Sequence, residues 1–140
     1  MEEVVRARGH ENVSAEHAST FEVTTDDWLT PAGDCILAVE ADRAPADFDP
    51  AFVAACREED SRITVRFEAD GHVEEVTGQG HPDLTFESER SMVGRTSEYV
   101  DERTFLIGAG KAAAGFDHDL VEALSAGAEL TVTVTVEPAG

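Results

Sequence analysis

The chain is predicted to fold as a mainly β (α+β) single domain, a duplicated sandwich or barrel-like array. Two β-β-β-α-β halves, about eight strands and two helices in all, would be related by a pseudo-two-fold axis. Three observations predict this. Gly9-His10-Glu11-Asn12-Val13-Ser14-Ala15-Glu16 returns 71 positions later as Gly80-His81-Pro82-Asp83-Leu84-Thr85-Phe86-Glu87. Arg43-Ala44 and Phe48-Asp49 return 68 positions later as Lys111-Ala112 and Phe116-Asp117. The difference falls among Leu29 to Ala32, a proline-containing loop where a deletion costs little. Second, the 140 residues are 41% apolar, in periodic segments, which argues against disorder despite the charge. Third, a half of roughly 70 residues is marginal alone. The expectation is therefore one domain, 1–140, with internal repeats 1–70 and 71–140 sharing a core.

Each half reads strand, strand, strand, helix, strand. The first strands are Glu3 to Arg8 and Val73 to Gln79; the second are Thr20 to Thr25 and Ser91 to Thr96. An acidic stretch and an aromatic–aliphatic pair follow each second strand, Trp28-Leu29 and Tyr99-Val100. The third strands, Cys35 to Ala41 and Thr104 to Ala109, are apolar on both faces, which predicts a central position. Phe48, Phe52, Val53 and Cys56 form a helical stripe that Phe116, Leu120, Val121 and Leu124 repeat. Asp49 before Pro50, and Asp117 in the second copy, are N-cap residues. Phe48 with Val53 and Phe116 with Val121 have staple spacing, and Gly127 ends the second helix. The closing strands alternate, with Ile63, Val65 and Phe67 matched by Leu130, Val132, Val134 and Val136; Thr131, Thr133 and Thr135 take the other face.

Thirty acidic residues against ten basic ones give a net charge of −20, and Lys111 is the sole lysine. Such a surface repels itself in dilute buffer, but at molar salt the Debye length falls to about 3 Å and the repulsion is screened. The charge is therefore read as the salt adaptation of a haloarchaeal protein, reporting solvent rather than partner. The acidic start Met1-Glu2-Glu3 has no apolar run after it, and no segment is long enough to span a membrane. Asn12-Val13-Ser14 matches a glycosylation sequon by chance on this reading. Cys35 and Cys56 have no metal or redox spacing and are read as reduced, buried thiols of a cytoplasmic protein.

Four groups of residues carry a family resemblance: Arg6-Ala7-Arg8-Gly9-His10 with Asn12-Val13; Leu29-Thr30-Pro31-Ala32-Gly33-Asp34-Cys35-Ile36; Gly78-Gln79-Gly80-His81-Pro82; and Arg103-Thr104 with Lys111-Ala112-Ala113. With these the chain resembles an archaeal family catalogued as domain of unknown function 371. The resemblance spans nearly the whole chain and implies a single mainly β domain, with no activity to carry across. Where the sequence departs from the family, it does so mostly at surface positions, with Asp, Glu or Ala in place of Lys, in keeping with salt adaptation.

Overlaying the repeats pairs His10 with His81, Glu16 with Glu87, Asp34 with Glu102 and Arg43 with Lys111. For the histidines the plainer role is structural, each following a glycine at a strand end and bonding a nearby carbonyl. A divalent metal held with Asp34 or Glu102 lacks HxH, HExxH or HxxxH spacing, so no metal site is assigned. Arg43 and Lys111 either form intramolecular ion pairs with Glu16, Glu87 or an aspartate, or bind a phosphate or carboxylate with help from Arg6, Arg8 and Arg103. A nucleophilic Lys111 lacks support. There is no Walker A loop, GxGxxG or G-x-S-x-G elbow; Gly78-Gln79-Gly80 is too short to cradle phosphate. Aromatics at 6% and the negative charge weigh against nucleic acid. The leading expectation is a binding protein for a small anionic ligand in a pseudo-symmetric cleft. It would be lined by Arg43, Lys111, His10, His81, Arg8, Arg103, Asp34 and Glu102. The alternatives are an enzyme using His10 or His81 as acid or base oriented by Asp34 or Glu102, and a protein- or RNA-interaction module. No cofactor is assigned.

Overall fold

The computed structural model of the protein describes residues 1–138. Its elements are β1 (Glu2–Arg8), β2 (Thr20–Thr24), β3 (Ile36–Ala38), α1 (Pro50–Cys56), β4 (Arg62–Ala69), β5 (His72–Gln79), β6 (Ser91–Arg95), β7 (Thr104–Leu106), α2 (His118–Ser125) and β8 (Glu129–Glu137). A single 3-10 turn precedes each helix, at Pro45–Asp47 and Ala113–Gly115. The element order from β1 to β4 is thus the order from β5 to β8. The strands form two four-stranded sheets, β1-β8-β4-β5 and β3-β2-β6-β7, and exchanging the halves leaves both orders unchanged. Single antiparallel bridges, Arg8 to Val39 and Gln79 to Ile107, join the sheets at both edges, so the sandwich is barrel-like.

The predicted α+β class and element count match this architecture, but the third strands do not sit where expected. β3 and β7 are short edge strands, paired in parallel to β2 and β6. Their apolar character on both faces comes from barrel closure. Leu37, Ala38, Val39, Phe105, Leu106 and Ile107 are buried although their strands lie at an edge.

Local chemistry accounts for the remaining elements. Strand β4 buries Ile63, Val65 and Phe67, and β8 buries Leu130, Val132, Val134 and Val136 while its threonines face outward. The turn joining β4 to β5 is Asp70-Gly71, both at positive φ, the conformation that lets a two-residue hairpin follow the strand twist. Asp49 accepts the Ala51 N–H and Asp117 the Asp119 and Leu120 N–H groups, capping the two helices as expected. Gly127 (φ +89°) closes α2 with the paired bonds of a Schellman motif, Gly127 N–H to Leu124 and Ala128 N–H to Ala123. All seven phenylalanines are buried. Phe67 lies 5.5 Å from Phe21 and 5.0 Å from Phe116, while Phe48 meets Phe52 edge-on at 5.6 Å. Among the described residues no helix is long and apolar enough to cross a membrane.

Candidate functional site

Arg43 and Lys111 are held by the protein itself. Glu3 of β1 and Glu74 of β5 lie on the two strands bordering them. Arg43 Nη2 stands 2.5 Å from Glu3, and its guanidinium donates to the carbonyls of Val4 and Asp47 at 3.0 Å and lies over the Phe48 ring. Lys111 Nζ pairs with Glu74. Each carboxylate also accepts the backbone N–H of a helix N-cap residue, Glu3 from Asp49 and Glu74 from Asp117. Strand, cation and helix start are tied together by one side chain. The sequence points to Glu16, Glu87 or an aspartate as partner; pairing in the β1-β8-β4-β5 sheet instead brings Glu3 and Glu74 to these cations. The two pairs lie at opposite edges of that sheet, so Arg43 and Lys111 do not converge on one cleft.

His10 and His81 follow the ends of β1 and β5. Nδ1 of His10 accepts the Asn12 N–H, and Nδ1 of His81 accepts the Asp83 N–H, each at 3.0 Å. Both rings therefore act as turn acceptors for an N–H two residues on, rather than as donors to a carbonyl. In a neutral ring the proton then sits on Nε2, leaving one donor free. The glycines before them are sterically required. A Cβ at Gly9 would stand 1.8 Å from the Leu124 carbonyl oxygen, and one at Gly80 would stand 2.0 Å from that of Cys56. The histidines do not meet. Arg8 is level with Glu129 on β8, whereas Gln79 is level with Arg62 and so with Glu137 at the other end of β8. Eight residues of strand amount to about 27 Å.

Each histidine instead lines its own recess. That of His81, about 480 Å³, is bordered by Glu59, Asp60, Asp83 and Glu98. That of His10, about 310 Å³, shares Arg8, Glu40 and Gly127 with a groove of about 510 Å³ along the outer face of β1. Arg6 and Arg8 stand on that face, two residues apart, with His10 following at the strand's end; Thr131 is level with Arg6 and Glu129 with Arg8. Arg8 pairs with Glu40 at 3.4 Å. Among the described residues Arg6 enters no ion pair.

Of the remaining predicted residues, Arg103 joins a charged cluster, Asp34 makes backbone contacts and Glu102 stands apart from both. Asp101 takes Arg95 at 2.9 Å and Arg103 at 3.4 Å, and Arg103 reaches the buried Glu22 at 3.9 Å. Burial pushes the Asp101 carboxyl up. The Arg103 N–H, the Arg95 charge, the Thr104 hydroxyl and the Arg103 charge outweigh it, and the carboxyl settles below its usual value. Cys35 Sγ lies 3.6 Å from Glu22 Oε1; burial first, then that carboxylate, pushes its thiol up to about 11. Burial alone pushes Cys56 up to about 12. The Asp34 carbonyl accepts from Glu16 and His17 N–H, and Glu102 is exposed. Neither Asp34 nor Glu102 is hydrogen-bonded to His10 or His81 among the described residues. No cluster of three His, Cys, Asp or Glu side chains there could hold a metal.

Two residues outside the predicted site stand out on the surface. Trp28 and Tyr99, the only residues of their kinds, are 56% and 62% exposed. The recurrence of an aromatic after β2 and β6 was visible in the sequence; its exposure was not. Comparison with known proteins gives two findings. A family described as Domain of unknown function (DUF371) matches residues 5–137. An uncharacterised protein of Methanocaldococcus jannaschii is 38% identical over 136 residues, covering 97% of this chain and 100% of that protein.

Proposed function

This chain belongs to the DUF371 family, and we propose that it is a binding protein for a small anionic ligand, seated in the groove along β1. The observation that carries the reading is the placing of Arg6 and Arg8 on one face of that strand, with His10 at its end. Arg6 and Arg8 line the groove with Glu40 and Glu129, His10 lines the adjoining recess beside Arg8, and the Arg6 guanidinium enters no ion pair among the described residues. Guanidinium forks match phosphate and carboxylate oxygens, and a strand puts side chains two apart at a spacing of about 7 Å. The matching positions of β5, Thr77 and Gln79, are uncharged, so the site belongs to one half and not to a symmetric cleft. Arg43 and Lys111 serve the fold. The two cysteines are free thiols, which supports the cytoplasm as the compartment, and the acidic surface supports salt adaptation.

The test is a thermal shift with inorganic phosphate and with citrate on the wild type and on Arg6→Ala and Arg8→Ala. A ligand at 100 times its Kd stabilises the fold by about 2.7 kcal/mol. The shift should vanish in both variants and persist in Arg103→Ala. Equal shifts in all four proteins would sink the assignment.

A further inference from the structure

We infer that Trp28 is a docking point for an arginine-bearing segment of a partner protein. The inference does not rest on the anion groove; it rests on a difference between two matching positions. Tyr99 comes four residues after Arg95, the last residue of β6. The Arg95 guanidinium lies 4.8 Å from the Tyr99 ring centroid and is fixed there by Asp101 and Thr104, each at 2.9 Å. Trp28 comes four residues after Thr24, the last residue of β2. Thr24 is buried, and its hydroxyl accepts the Asp26 N–H at 3.2 Å. Among the described residues the guanidinium–ring pairs are Arg95 with Tyr99 and Arg43 with Phe48, so the indole carries none. The chain thus shows a phenol ring with its cation in place and, at the matching position, an open indole, the stronger cation acceptor.

The indole is held outward by anchors on both sides. Arg90 grips the Asp26 carboxylate with contacts of 2.6 to 2.9 Å, and the Asp26 carbonyl accepts the Glu40 N–H at 2.7 Å. On the other side Leu29 is 5% exposed, and its carbonyl accepts from the Asn12 side chain at 2.8 Å. A loop fixed at Asp26 and Leu29 presents Trp28 at little ordering cost, the property of an interface anchor. Exposed Asp27 beside it places a negative charge next to the ring, which draws in a cation and opposes a polyanion. One exposed cation–ring contact changes affinity only about two- to fivefold. The occupant is therefore a protein segment that adds contacts of its own, not free arginine.

The chain has one tryptophan, so its emission reports this ring directly. The probe is a ten-residue peptide of alternating glycine and arginine, with citrulline replacing arginine in the control. The arginine peptide should change Trp28 emission saturably, and the citrulline peptide should leave it unchanged. By anisotropy of the labelled peptide, Trp28→Ala should weaken binding about fivefold and Trp28→Phe less, with Tyr99→Ala within twofold of wild type. Equal affinity of Trp28→Ala and wild type would overturn the inference, since general charge attraction would then account for the binding. So would tighter, Trp28-dependent binding of a single-stranded oligonucleotide. A wild-type dimer that Trp28→Ala dissociates in sedimentation would assign the ring to a second copy instead and would equally overturn it.

Discussion

Replacing Gly80 with alanine places a methyl group where the backbone of another element already lies. The added Cβ would be 2.0 Å from the Cys56 carbonyl oxygen and 2.1 Å from Ser61 Oγ. The end of β5 must then separate from the C-terminus of α1 by more than an ångström. Two backbone bonds span that gap, Gly80 N–H to Ser61 at 2.9 Å and His81 N–H to Cys56 at 3.1 Å. Losing both costs about 1 kcal/mol each, and overpacking adds about 1–3 kcal/mol. The expected destabilisation is about 3–5 kcal/mol, which at this size lowers Tm by about 10–15 °C. Thermal unfolding followed by circular dichroism measures it. His81→Ala, which removes the acceptor for the Asp83 N–H and an exposed contact with its carboxylate, should cost no more than about 1 kcal/mol. A Gly80→Ala protein melting within about 3 °C of wild type would refute the view that this glycine is kept for close backbone approach.

Glu3→Gln should cost about 1.5–3 kcal/mol in urea unfolding, because the carboxylate serves both Arg43 and the Asp49 N–H; additivity with Arg43→Met would contradict the coupling. The Arg90 hydrogen bond holds the Asp26 carboxyl below its usual value, and Asp101 is also held low. Both therefore contribute stability that is complete above the usual carboxylate pKa of about 3.8 and is lost as pH falls through their lowered folded values. Asp101→Asn should accordingly lower the urea midpoint at pH 7 and have little effect near pH 2, and an equal loss at both pH values would contradict this. Alkylation at pH 8 should be slow at both thiols in the folded protein. Raising Cys35 from 9.0 to about 11 cuts its thiolate fraction roughly 100-fold, and unfolding in urea should restore the rate.

The local parts of this fold could be read from the chain because their causes are local. Asp49-Pro50, Asp117 and Gly127 set helix ends through bonds within four or five residues, and the alternation of β8 declares its buried face. The edge position of β3 and β7 was hidden because closure of a barrel buries an edge strand as fully as a central one. The partners of Arg43 and Lys111 were hidden for a related reason. Glu3 and Glu74 are 40 and 37 positions away in the chain, and only strand pairing brings them near. Arg6, Arg8 and His10 were each visible as residues that could hold an anion. That they line adjoining recesses, while His81 stands at the far corner, follows from sheet order and register. Trp28 and Tyr99 read as apolar residues in loops, and nothing in their spacing distinguishes a buried ring from an exposed one.

In the proposed function the β1 groove, and not the Arg43 and Lys111 positions, receives the anion. Backbone NMR shifts of labelled protein titrated with inorganic phosphate at constant ionic strength test it most directly. The expected result is saturable shifts confined to Arg6 through His10, Glu40, Gly127 and Thr131, abolished by Arg8→Ala. Shifts centred on Arg43 or Lys111 that survive Arg8→Ala, or none that saturate, would contradict it.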